Sequence, residues 1–160
     1  MRLKIFMDED FVNYKKPSMF IGTCWCDWKC CRDADKRIDM CQNSEIAKLC
    51  VMNIPDDVIF ERYISNPITS SVVIGGLEPV LQFDEVLHLL AYFRENGCED
   101  DFVIYTGYTK DEVQEQISSL AAYKNVIVKF GRFVPGDMPH YDDILGVMLA
   151  NKEQHAERIS

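Results

Sequence analysis

The sequence predicts an α/β domain with a mostly parallel sheet, on three observations. From Ser70 onward, short β-branched runs alternate with amphipathic stretches at the pitch of βαβ units. The amphipathic stretches carry their apolar residues on one stripe. Each β-branched run then ends in a glycine or a hydroxyl residue that opens a loop.

In chain order, "MRLKIFMDEDFVNY" reads as an extra edge hairpin, and "PSMFIGT" as the opening strand, with a cysteine-rich loop after Thr23. "PDDVIFERYISN" is a helix with Pro55 near its first turn. "SSVVIGG" is a buried strand ending near Ile74, and "DEVLHLLAYFRENG" is a helix with Val86, Leu89, Leu90 and Phe93 on one face and Gly97 as its C-terminal cap. "DFVIYTG" is a strand ending near Thr106. In "TKDEVQEQISSLAAYK", Thr109 and Glu112 have capping-box spacing, and Val113, Ile117, Leu120 and Ala121 form the buried stripe. "NVIVKFG" is the third strand of this run, and "GVMLANKEQHAERIS" is a last strand or a docking tail.

With 160 residues and 48% hydrophobic content, the chain can bury one sizeable core, so residues 1–160 are expected to form a single domain. No apolar run has the length of a membrane span or a secretory core, which points to a cytoplasmic protein without a membrane partner. The net charge of −9 repels phosphate backbones and argues against nucleic acid as a partner. Ligands of parallel α/β sheets bind beyond the carboxyl ends of the strands. Three loops leave by that edge: the cysteine loop, "GGLEP" and "TGYT".

The loop from Gly22 to Asn43, "GTCWCDWKCCRDADKRIDMCQN", holds five of the seven cysteines. An odd count and a cytoplasmic setting disfavour a disulfide framework. Cys26, Cys30, Cys41 and Cys50 can supply the four donors of a structural zinc or of a complete iron-sulfur cluster. A cluster held by only three thiolates, with one iron open to a ligand, is equally compatible with the spacing. Cys98 reads as a small buried hydrophobe.

Four segments, in order, resemble the radical S-adenosylmethionine (SAM) superfamily, and within it the small activating proteins of anaerobic ribonucleoside-triphosphate reductase. "CDWKC" with the later "CQN" resembles the cluster loop, "VVIGGLEPVLQFDEVLHLL" the glycine-pair segment, "YTGYT" the loop after the next strand, and "VIVKFGRFVPG" a later strand and turn. The resemblance covers roughly Met19 to Pro135. Two features depart from the family pattern: ten residues separate Cys30 from Cys41 where the family has CxxC spacing, and Leu77 stands between the glycine pair and Glu78.

The resemblance implies a 4Fe-4S cluster on Cys26, Cys30 and Cys41. Cys41 is chosen as third ligand over Cys31 and Cys24 because "CQN" carries the family's asparagine. It implies SAM bound by Gly75, Gly76, Glu78 and Pro79, with Tyr105, Thr106 and Tyr108 near ribose or adenine. Trp28 would cover the cluster, Met40 would pack on adenine, and Arg132 would face an anion or a partner. At this length the implied architecture is an incomplete (β/α) barrel. The implied activity is reductive cleavage of SAM to a 5′-deoxyadenosyl radical, which installs a glycyl radical on the large subunit of an anaerobic ribonucleotide reductase. The electron would come from a flavodoxin- or ferredoxin-type donor. The alternatives are a radical SAM enzyme with another substrate, and a zinc or iron-sulfur scaffold that does not cleave SAM. His88 and His140 lack a ligand set and read as structural or solvated.

Overall fold

The computed structural model describes all 160 residues, Met1 to Ser160. Its strands and helices follow one another as β1 (Arg2–Leu3), β2 (Ile5–Asp10), β3 (Ser18–Thr23), α1 (Lys29–Asp33), β4 (Met52–Asn53), α2 (Asp56–Ser65) and β5 (Ser71–Gly76). They continue as α3 (Phe83–Glu95), β6 (Asp101–Tyr105), α4 (Gln114–Leu120), β7 (Val126–Phe130), β8 (His140–Asp142), β9 (Val147–Leu149) and β10 (His155–Arg158). The main sheet has six strands in the order β10-β7-β6-β5-β3-β2. Its four central strands are parallel, while β2 and β10 close the two edges antiparallel. The N-terminal stretch forms no hairpin of its own: β1 pairs with β4 and β2 adds an edge strand against β3, while the C-terminal stretch supplies a last strand. No helix is long and apolar enough to cross a membrane.

Side chains alternate across a strand, and here the alternation separates two cores. Val72, Ile74, Phe102, Ile104, Val126, Val128 and Phe130 face one way, where Ile59 and Tyr63 of α2, the α3 stripe and Leu120 of α4 cover them. Val73, Val103 and Ile127 face the other way, against Tyr14, Leu145, Leu149 and Ala156. Each large apolar side chain taken fully out of water contributes about 1.5–3 kcal/mol, so both faces of the central strands are specified by burial. All three longer helices pack on one face, and the other is left to loops, the β8–β9 hairpin and a cavity.

α3 buries its predicted residues Val86, Leu89, Leu90 and Phe93 completely. It ends in a Schellman turn, with Gly97 N–H donating to Arg94 O at 3.1 Å and Cys98 N–H to Phe93 O at 3.0 Å. The capping box forms: the Glu112 carboxylate accepts the Thr109 amide at 2.9 Å, and the Thr109 side chain accepts the Glu112 amide. The helix after it is shorter than its periodicity suggests. Lys110–Val113 winds as a 3-10 turn, α4 stops at Leu120, and Ala121 is exposed as the cap residue and not buried. Three residues per turn in that first stretch rotate the stripe, which carries Ala121 away from the core.

Candidate iron-sulfur site

The four parallel strands end side by side at Thr23, Gly76, Tyr105 and Phe130, and a cavity of about 170 Å³ opens above them. Its wall holds Cys26, Cys30, Cys31 and Cys41 from the first loop, Gly75, Gly76 and Glu78 from the second, Tyr105 and Thr106 from the third, and Phe133 from a fourth loop after β7. Of the four residues expected to bind the amino-acid end of SAM, Pro79 stands off this wall, buried as the first residue of the 3-10 turn Pro79–Gln82.

The seven cysteines separate by environment. Cys26 Sγ accepts the Trp28 amide at 3.3 Å and Cys41 Sγ the Asn43 amide at 3.5 Å, while against the burial of the Cys30 thiol the nearby Phe133 amide works to lower its pKa. Backbone N–H groups aimed at sulfur favour thiolate and tune a bound cluster. Cys31 shares the wall but is buried, with Cys41 and Cys30 the nearest groups acting on its thiol. Cys24 is off the wall: its amide donates to Gln82 Oε1 at 3.0 Å, and the charges around its thiol are Lys4, Glu85 and Arg2. Cys50 is exposed, and Cys98 packs at the edge of the helix-side core. Burial is the main cause that raises the Cys26 thiol to about 12, and it raises Cys30 and Cys31 as well. Buried thiols of this kind ionise when a cation compensates them, and metal binding then releases protons.

The loops are tied into one frame. The Asn43 side chain donates to Gly76 O at 2.5 Å, joining the "CQN" segment to the glycine pair. Glu78 N–H donates to Trp25 O at 2.6 Å, and Thr23 Oγ1 to Gly75 O at 3.0 Å. Gly76 has φ of +82°, and a Cβ on it would lie 2.7 Å from Gly22 Cα, so the pair approaches β3 only without a side chain. The Glu78 carboxylate is 5% exposed and receives Thr106 Oγ1 at 2.7 Å, Gly107 N at 2.9 Å and Val80 N at 3.1 Å. Burial nonetheless raises its pKa. Glu78 and Thr106 therefore spend most of their hydrogen-bonding capacity on each other and on the loops.

Other expected contacts lie elsewhere. The Tyr105 hydroxyl donates to Asn13 O at 2.5 Å, leaving its ring on the wall. Tyr108 lies behind the wall, beneath the Arg132 guanidinium at 5.2 Å. Met40 is 48% exposed and does not line the cavity. Arg132 faces carboxylates: Asp33 at 2.9 Å and Glu112 at 2.7 Å, with a further hydrogen bond to Gly107 O. Lys129, Gly131 and Gln154 also line the cavity; the first two lie in the "VIVKFGRFVPG" segment, but the sequence assigns a role to none of the three. For Lys129 a signal existed, a charge inside the apolar run "VIVKF".

The fit to a cluster follows from the donors and the space. No three Cys, His, Asp or Glu side chains gather tightly enough to hold a single metal ion. The thiols of Cys26, Cys30 and Cys41 instead stand around a cavity, two of them accepting a backbone N–H. Gly107 shapes this cradle, since a Cβ on it would lie 2.6 Å from Cys30 Sγ. The family described as "4Fe-4S single cluster domain" matches residues 16–144, which takes in the cysteine loop and the ends of all four parallel strands. No curated protein and no solved structure matches the chain.

Proposed function

The chain belongs to the 4Fe-4S single cluster domain family, and from that premise we propose that it is a radical SAM activating enzyme for an anaerobic ribonucleotide reductase. One observation carries the reading. Three thiols, two of which accept a backbone N–H, line one cavity with a glycine pair, and Asn43 bonds the two loops together. In this reading Cys26, Cys30 and Cys41 would hold the cluster. When bound, the cluster would supply the electron for reductive cleavage of SAM to methionine and a 5′-deoxyadenosyl radical, the species that would take a hydrogen atom from a glycine of the reductase.

The chain's own residues perform the rest. Gly75 and Gly76 let the methionyl part lie against backbone, and Glu78 stiffens the second and third loops while presenting negative charge toward an ammonium group. The Tyr105 ring and the apolar wall exclude water around the reacting atoms. Trp28, in the left-handed conformation with φ of 59°, turns the chain so that Cys26 and Cys30 face one cluster. The parallel strands, with helices on one face, are in this reading part of a (β/α) barrel whose open side admits a large protein substrate. A flavodoxin- or ferredoxin-type protein delivers the electron.

The test is anaerobic reconstitution with iron and sulfide, reduction, and measurement of 5′-deoxyadenosine from SAM. A fully loaded, reduced protein that yields none refutes the enzyme reading and leaves an iron-sulfur scaffold. Electron paramagnetic resonance after mixing with a reductase from the same genome then checks the substrate. A competent SAM-cleaving protein that leaves the spectrum silent acts on something else. Alanine at Cys26, Cys30 or Cys41 is expected to abolish the cluster's visible absorption, and alanine at Cys24, Cys50 or Cys98 to leave it unchanged. Loss at Cys24 with retention at Cys41 would overturn the ligand choice.

A further inference from the structure

The cysteines divide into two sets about the cavity. Cys26, Cys30, Cys31 and Cys41 line it. Cys24 turns its backbone to Gln82, Cys50 is exposed, and Cys98 packs at the edge of the helix-side core. Spacing alone allows a closed cluster on Cys26, Cys30, Cys41 and Cys50. The fold removes Cys50 from that set and puts Cys31 in its place.

The local structure explains why Cys31 points inward. It is the one buried side chain of α1, and it is 6% exposed. The residues around it form ion pairs on the outside of the helix: Lys29 with Asp33 at 3.1 Å, Arg32 with Asp27 at 2.8 Å, and Asp33 with Arg132 at 2.9 Å. Those pairs fix the rotation of the helix about its axis, and that rotation brings Cys31 to the wall beside Cys41 and Cys30. A complete four-iron cluster takes one thiolate on each iron, and the wall offers that number of thiols.

We propose that Cys31 is a fourth thiolate ligand of this cluster, closing the position that the three-thiolate set leaves open until another ligand displaces it. The proposal rests on the cluster reading of the site. Under the SAM reading, the amino and carboxylate groups of SAM take the place of the Cys31 sulfur. The exchange transfers no electron. The Cys31 thiol gives its proton to water as its sulfur binds iron, and the sulfur takes a proton back when that bond breaks and the incoming ligand's bonds to iron form. Cys31 would thereby protect the iron that is most easily lost while no ligand is bound.

The test uses the full chain, reconstituted anaerobically with iron and sulfide in the absence of SAM, then oxidised mildly with ferricyanide. An iron without a protein ligand leaves first, and the three-iron cluster that remains is detected by electron paramagnetic resonance. Cys31→Ala is expected to load its cluster but to release that iron on the order of tenfold faster than wild type. It is also expected to bind SAM about tenfold more tightly, because no thiolate competes for the iron. Cys31→Val repeats the comparison if the alanine variant does not fold. Equal release from wild type and from the Cys31 variant overturns the proposal. So does a folded Cys31 variant that takes up no cluster, since Cys31 would then be one of the three indispensable ligands. Faster release from Cys50→Ala with no change in Cys31→Ala also overturns it. A wild-type protein that keeps its iron, when Cys31→Ala does not, and that binds no SAM supports the fourth ligand and refutes the SAM reading alone.

Discussion

At Gly107 one hydrogen atom is all that separates the third loop from Cys30. A methyl group there would lie 2.6 Å from Cys30 Sγ and 3.4 Å from Glu78 Oε2. Gly107→Ala is therefore expected to displace the thiol, lower the iron and sulfide bound per chain, and destabilise the fold by about 1–3 kcal/mol through overpacking. Denaturant titration and metal analysis check both effects, and a full cluster in a stable variant would mean that the thiol has room to move. The cysteines themselves were legible because thiols in one loop are a chemical signal that needs no coordinates. Their division into wall and bystander was not. Cys24 differs from Cys26 and Cys30 only in where the loop turns it, Cys31 shares their wall although its spacing gave no sign of that, and the Phe133 amide near Cys30 comes from far along the chain. Lys129 was readable as an anomaly, a charge in a buried strand, but its direction depends on the strand's register.

Among the elements, α1 depends most on its surroundings. Five residues are too few to hold a helix in water. Its Asp33 is anchored by Arg132 at 2.9 Å, and its Lys29 lies 3.1 Å from Asp33 and 3.5 Å from Glu112. Burial works to raise the Glu112 pKa, but the Thr109 amide and the Arg132 guanidinium outweigh it and hold it at about 2, below the ordinary 4.5. A depressed carboxyl pKa stabilises the fold above its unfolded value and ceases to do so as pH falls through the folded one. The anchoring of α1 should thus be complete above pH 4.5 and fade toward pH 2. Tryptophan fluorescence, with Trp28 immediately before α1, is expected to report that loosening. Glu112→Gln should show the loosened signal already at neutral pH; an identical acid profile would exclude Glu112 as the anchor. The capping box that places Glu112 was visible in the sequence. Its second role was not, because its partner Arg132 is brought in by β7.

For the whole molecule, Asp101 links the edges of the sheet to its centre. Its carboxylate, 8% exposed at the side chain, takes Lys16 at 2.6 Å, the Tyr14 hydroxyl at 2.8 Å and Arg158 of β10 at 3.4 Å. Burial raises its pKa, but Lys16 and Tyr14 more than offset this and leave it below the ordinary 3.8. Its contribution is present above that value and disappears with acid. Asp101→Asn is expected to cost about 1–3 kcal/mol at neutral pH, because the buried Tyr14 hydroxyl and two half-exposed cations lose a charged acceptor, and to flatten the acid limb of the stability curve. Thermal unfolding across pH checks both, and a variant as stable as the wild type would remove Asp101 as a link. The sequence by itself determined the alternation of strands and helices, the α3 stripe and the loops bearing thiols and glycines, because periodicity and side-chain chemistry are local properties. Only the tertiary structure decided which thiols share a wall, that a fourth loop joins the site, and that Lys129 and Glu78 face one space. Those facts depend on strand order and register, which long-range burial selects and no single segment encodes.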